Sequence, residues 1–163
     1  MNFVLHRTAH TALLAASFLA IAACTTLTDT PPADPQKMID ERVAVMKSNI
    51  GALSASTQYT QDKATAAAAK AKVAAARNGV AAARSLFPRG TALGDRGVAR
   101  SRALSTIFAN RADFDAKFDA LAANFAALDA ALAKNAKADA TAALASTKKA
   151  CLVCHDKYRA PED

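Results

Sequence analysis

The chain has 163 residues, 52% of them hydrophobic, with a formal net charge of +7. That length suits one folded domain, and the heavy use of alanine makes its hydrophobic core thin. Positive residues are scattered and aromatics make up only 6% of the chain, which favours a solvated basic surface that steers an acidic protein partner over a nucleic-acid interface.

Residues 1–23 read as a secretory signal. Met1 to Arg7 is short and basic, and Thr11 to Ala23 is an apolar run too short to span a membrane. It ends in Ile21-Ala22-Ala23-Cys24, which resembles a bacterial lipobox with Ile at the position more often held by Leu. That resemblance implies cleavage before Cys24 and lipidation of Cys24. The alternative is ordinary cleavage after Ala20-Ile21-Ala22, which leaves Cys24 as an odd thiol, a liability in an exported chain. On either reading the protein leaves the cytoplasm. Residues 24–36 are polar, with Pro31, Pro32 and Pro35, and form an extended tether. The folded domain occupies 37–163.

Four helices are expected in that domain. The first covers 35–56, with Asp34 as its cap and a stripe of Ile39, Val43, Met46, Ile50 and Leu53 at spacings of 4, 3, 4 and 3. The second covers 62–85 and is dominated by alanine, the best helix former, with Val73, Val80 and Leu86 as its larger residues. Residues 87–101 contain Pro88, Gly90, Gly94 and Gly97 and read as a loop. The third helix, 102–134, carries Phe114, Phe118, Leu121, Phe125, Leu128 and Leu132 on one face. The fourth, 139–159, is capped by Asp139 and places Ala140, Leu144, Thr147, Cys151, Cys154 and Tyr158 on its inward stripe. Short connections between helices one and two, and three and four, imply antiparallel neighbours. The predicted fold is therefore all-α, an antiparallel up-down-up-down four-helix bundle.

The last helix contains Cys151-Leu152-Val153-Cys154-His155, the pattern of covalent c-type haem attachment. Residues i, i+3 and i+4 share a helix face, so both sulfurs and the imidazole point the same way. The two cysteines can then form thioethers with haem vinyl groups while His155 ligates the iron. Structural zinc requires about four Cys or His ligands, and the remaining candidates, His6, His10 and Cys24, all lie at or before residue 24. A thioredoxin-like pair belongs beside a βαβ pattern, and no strand pattern is present. No Ser/His/Asp or phosphate-binding signature appears either, so the expectation is an electron-transfer protein and not an enzyme.

These features resemble the cytochrome c′ family over nearly all of the mature chain. The resemblance is carried by Arg42-Val43-Ala44-Val45-Met46-Lys47, Leu86-Phe87-Pro88, Ile107-Phe108, Arg111-Ala112-Asp113-Phe114, and Cys151 through Arg159. It departs at Phe108, where relatives often carry Trp. The family places its distal residue four after an arginine, here Met46. Members with a bulky apolar residue there are five-coordinate, high-spin and open to nitric oxide or carbon monoxide. A second branch uses methionine as the sixth iron ligand and carries electrons in a low-spin state, and this chain looks more like that branch. The alternative for Met46 is ordinary core filling.

The resemblance also implies a propionate contact for Arg42, against the alternative of a solvated helix arginine. It implies that Arg159 lies over the proximal imidazole, against the alternative that it neutralises carbonyls at a helix C-terminus. Dimerisation through the first two helices is a further implication. The expected protein is a periplasmic or lipid-anchored cytochrome with one covalent haem c, held by Cys151, Cys154, His155 and Met46, exchanging electrons with redox partners that present an acidic face.

Overall fold

The computed structural model describes residues 31–161. The expected signal segment, Cys24 and the tether as far as residue 30 lie outside the described residues. Helix α1 (Pro35–Thr60) starts as anticipated, with the Asp34 carboxylate accepting the Lys37 backbone N–H at 2.9 Å. Proline at the first helical position costs nothing there, because that N–H has no partner inside a helix. The helix runs four residues past the predicted end. Ser56 and Thr57 donate their hydroxyls to the carbonyls of Ala52 and Leu53, both at 2.8 Å, so this polar stretch continues the helix.

Helix α2 (Ala66–Ala83) begins later than the predicted residue 62. Asp62 sits at φ 60° and turns the chain, and Thr65 provides the cap by accepting the Ala68 N–H at 3.2 Å. The buried positions of α2 are Ala66, Ala69, Val73, Ala76, Val80 and Ala83, a single stripe. Small residues permit close approach to α1: a Cβ on Gly79 would meet Val45 at 3.3 Å. A short 3₁₀ turn (Arg84–Leu86) leads into the long loop.

The predicted third helix is two helices, α3 (Thr106–Ala109) and α4 (Arg111–Ala133), separated by Asn110 at φ −127° and ψ 38°. It also starts four residues late. The backbone of 102–104 is engaged elsewhere: Leu104 N–H donates to the Tyr158 carbonyl at 2.9 Å, and Ala160 N–H donates to the Arg102 carbonyl at 2.8 Å. Helix α5 (Lys137–Tyr158) starts two residues before Asp139. Asp139 is therefore in the first turn and not the cap, where its charge still complements the helix dipole.

Helix α1 packs on α2, α2 on α4, α4 on α5, and α5 back on α1, closing the antiparallel four-helix bundle. Phe114, Phe125, Leu128, Leu132, Ile107 and Val73 are almost wholly buried. Phe87, Phe114, Phe118 and Tyr158 form an edge-to-face cluster, with centroids 4.9 Å apart for Phe87–Phe114 and 5.2 Å for Phe114–Tyr158. Such pairs add about 0.5–1.5 kcal/mol each beyond the area they bury. Among the described residues no helix is long and apolar enough to cross a membrane.

The α1 stripe needs correction. Its buried residues are Ile39, Arg42, Asn49, Ala52, Ser56 and Tyr59, whereas Val43 is 41% exposed and Ile50 is 66% exposed. The packed seam is thus mostly small or polar and lies one position before the apolar stripe. The apolar stripe faces a cavity instead.

Candidate functional site

Between α1, α4, α5 and the start of the segment before α3 lies a cavity of about 400 Å³. Helix α1 contributes Ile39, Val43, Met46, Ile50 and Leu53, so all five residues of the predicted stripe reach it. Helix α4 adds Phe114, Phe118 and Leu121, and α5 adds Cys151, Cys154, His155 and Tyr158. The i, i+3, i+4 spacing does what helix geometry requires: both sulfurs and the imidazole meet one wall. Cys151 and Cys154 are not joined in a disulfide. Burial pushes both thiols up, Cys154 to about 11, so before attachment each is a neutral S–H against an apolar wall.

The charged lining has one sign. Arg42, Lys47, Arg100, Arg102, Lys117 and Arg159 border the cavity, and among the described residues no carboxylate does. A largely apolar group that brings its own two carboxylates and two vinyl groups matches this lining: apolar walls for the ring, thiols to add across vinyl double bonds, imidazole for iron, and cations for the propionates. The residues present therefore fit haem.

Arg42 is neither solvated nor paired with a described carboxylate. It is 6% exposed, and its guanidinium stacks 4.0 Å from the Phe87 ring centroid. Nη2 donates to the Leu86 carbonyl at 2.8 Å and to Thr91 Oγ1 at 2.7 Å. Nη1 reaches the Thr91 carbonyl and Ser101 Oγ, each at 3.4 Å. Desolvation lowers its pKa to about 10, which leaves it charged at neutral pH. The solvated alternative is thus corrected: Arg42 staples the long loop to α1. A propionate contact of the kind the resemblance implies would fall to Nη1, whose two contacts are the long ones. Replacing Arg42 with methionine keeps much of the stem packing but strips the Leu86 carbonyl of its donors. We expect a loss of about 2–3 kcal/mol, measured by denaturant unfolding of the holoprotein; an unchanged midpoint would mean that the staple contributes nothing.

Arg159 Nη1 lies 3.4 Å from His155 Nδ1. Burial, then the charges of Arg159 and Arg102, lower the His155 pKa, which favours the neutral imidazole that a metal needs. Tyr158, read from sequence as packing, also has a polar role. Its hydroxyl donates to Asp113 Oδ2 at 2.5 Å, and Lys157 Nζ meets the same oxygen at 2.9 Å. Those two hydrogen bonds hold the Asp113 carboxyl down to about 2. The last turn of α5, which carries His155, is thereby tied to α4.

Sequence reasoning missed Thr91 and Ser101, whose importance comes from a contact across more than forty residues of chain, and the Tyr158–Asp113 bond. It also missed Asn49, which lines the cavity at 4% exposure with its Oδ1 lacking a partner. Asn49 falls three residues after Met46, at a core position where an amide is unusual, and that was the available signal.

A family model described as Cytochrome C' matches residues 37–159. Among solved structures, the chain is similar to cytochrome c′ from Rubrivivax gelatinosus at 28% identity, over 77% of this chain and 96% of that one, with a TM-score of 0.67. It is similar to cytochrome c′ from Rhodobacter Spheriodes at 25% identity, over 80% and 100% of the two chains, with a TM-score of 0.68. A nitric oxide complex of a mutant cytochrome c prime from Alcaligenes xylosoxidans matches at 24% identity, over 80% and 99%, with a TM-score of 0.69. No curated protein matches.

Proposed function

The chain belongs to the cytochrome c′ family and carries one covalent c-type haem, and from that premise we propose that it is a low-spin, one-electron carrier with His155 and Met46 as axial ligands. The observation that carries this reading is the position of Met46: among the described residues it is the one thioether on the cavity wall, presented from α1 while His155 is presented from α5. Haem, when bound, supplies the one-electron iron couple.

The chain's own residues do the rest. Cys151 and Cys154 fix the group to α5, and His155 is held by a turn that Tyr158 and Asp113 anchor. Met46 offers a soft, neutral donor that favours the reduced metal. The surrounding phenylalanines supply apolar walls, and the basic lining complements carboxylates. The same basic rim, with Lys47 and Lys117 at the cavity and Val43 and Ile50 exposed beside it, suits a redox partner with an acidic docking face. Its rate of association should fall with ionic strength.

We place the protein in the bacterial periplasm, exported by residues 1–23 and tethered through lipidated Cys24 ahead of the domain at 37–163. Pairing through α1 and α2 would leave the cavity, which α1, α4 and α5 line, free for a partner.

The second reading is a five-coordinate, high-spin protein that binds nitric oxide or carbon monoxide. The nitric oxide complex of the Alcaligenes relative supports it, as does the half-buried Met46 flanked by exposed Val43 and Ile50. Carbon monoxide titrated into the reduced holoprotein separates the two. Methionine ligation predicts an unchanged visible spectrum; a saturable change would move the function to gas binding.

A further inference from the structure

The loop between α2 and α3 is a surface feature that haem binding leaves largely unexplained. Between Phe87 and Arg102 it carries Arg89, Arg96, Arg100 and Arg102 and one acid, Asp95. The Asp95 carboxylate is engaged within the loop, accepting the Ala92 N–H at 2.7 Å, and four arginines against one acid leave the loop net positive. Arg89, Arg96 and Arg100 are exposed, and Leu93 among them is 53% exposed. Gly94 and Gly97, both at positive φ, face open space. An exposed leucine among arginines is the arrangement that suits an interface of headgroup phosphates over acyl chains.

The tether reaches the domain at this same loop. A Cβ on Gly90 would lie 2.8 Å from the Pro31 side chain, so Pro31 is seated on it. The Ala99 N–H also donates to Gln36 Oε1 at 3.4 Å, joining the start of α1 to the loop. Cys24 precedes Pro31 by seven residues, which span at most about 25 Å when fully extended. An anchor at Cys24 therefore keeps this face of the domain nearest the bilayer.

We propose that the loop is a membrane-docking surface, laying Arg96, Arg100 and Leu93 on anionic lipid headgroups. The inference rests on the lipid anchor at Cys24. The anchor supplies attachment, and the loop supplies orientation. Arg100 and Arg102 also border the haem cavity, so docking holds the cavity rim beside the membrane, within reach of a membrane-bound electron partner.

The test uses the purified full-chain holoprotein on vesicles of phosphatidylcholine alone or mixed with phosphatidylglycerol, with an intact mass taken first. We expect a mass that includes the lipid adduct. Amide exchange across residues 93–100 should slow about tenfold on the anionic vesicles relative to the neutral ones, and return to the neutral rate in high salt. The pair Leu93→Ser with Arg96→Gln, both exposed side chains, should lose most of that slowing while exchange in α4 stays unchanged. Equal exchange on both vesicles with the lipid adduct present would overturn docking and leave the anchor standing. A mass without the adduct would remove the anchor and the proposal with it. Slowing seen only with added polyglutamate, and not on anionic vesicles, would assign the loop to an acidic protein.

Discussion

Replacing Met46 with leucine should lower the reduction potential and open the ferrous protein to carbon monoxide. The substitution conserves volume, so packing should change by less than about 1.5 kcal/mol. On the proposed ligation, what it removes is a soft donor that stabilises reduced iron. Axial ligation spans roughly 0.8 V of potential in haem proteins, and loss of one thioether should cost on the order of 0.1 V of it. Spectroelectrochemistry reads the shift. The variant should also change from indifference to saturable binding when carbon monoxide is added. An unaltered potential in a well-folded variant would make Met46 a packing residue, as its half-buried position also allows.

The pair Cys151→Ala with Cys154→Ala should have the larger effect on the folded state. Haem should follow the native chain through a denaturing gel and be lost from the variant. The cavity is about 400 Å³ and its walls are mainly apolar; leaving it without its group returns those walls to water and removes their packing partner. The alanine-rich α2 and the small, polar seam of α1 offer little to offset it. Urea unfolding should therefore lose its cooperative transition, with helical signal falling gradually. A variant that kept the native midpoint would show that the bundle stands without covalent haem.

The helices were legible because periodicity is local. The α4 stripe from Phe114 to Leu132 is buried as read, apart from Leu121, which lines the cavity instead. The α5 stripe divides at Thr147: earlier members are packed, and Cys151 and Cys154 turn to the cavity. On α1 the apolar stripe was recognised and its destination misread, because hydrophobic periodicity marks a face that avoids water without saying whether protein or a prosthetic group covers it. The actual α1 seam, Arg42, Asn49, Ala52 and Ser56, is invisible to that signal.

Boundaries failed where tertiary contacts decided them. Residues 102–105 have helical propensity, yet Leu104 pairs with the carbonyl of Tyr158 and Arg102 with the backbone of Ala160. No local pattern encodes a partner more than fifty residues away. The thiols and imidazole were legible for the opposite reason, since their chemistry depends on spacing within a single helix turn. Arg42 lay between these cases: its place on α1, one turn before Met46, was legible, while its partners, Leu86, Thr91 and Ser101, come from chain far downstream.

The most direct measurement is the far-red absorption of the oxidised holoprotein. Ligation by Met46 predicts a weak sulfur-to-iron charge-transfer band on a low-spin spectrum, absent in Met46→Leu. A high-spin spectrum without that band in the unaltered protein would contradict the account and leave the iron with His155 alone.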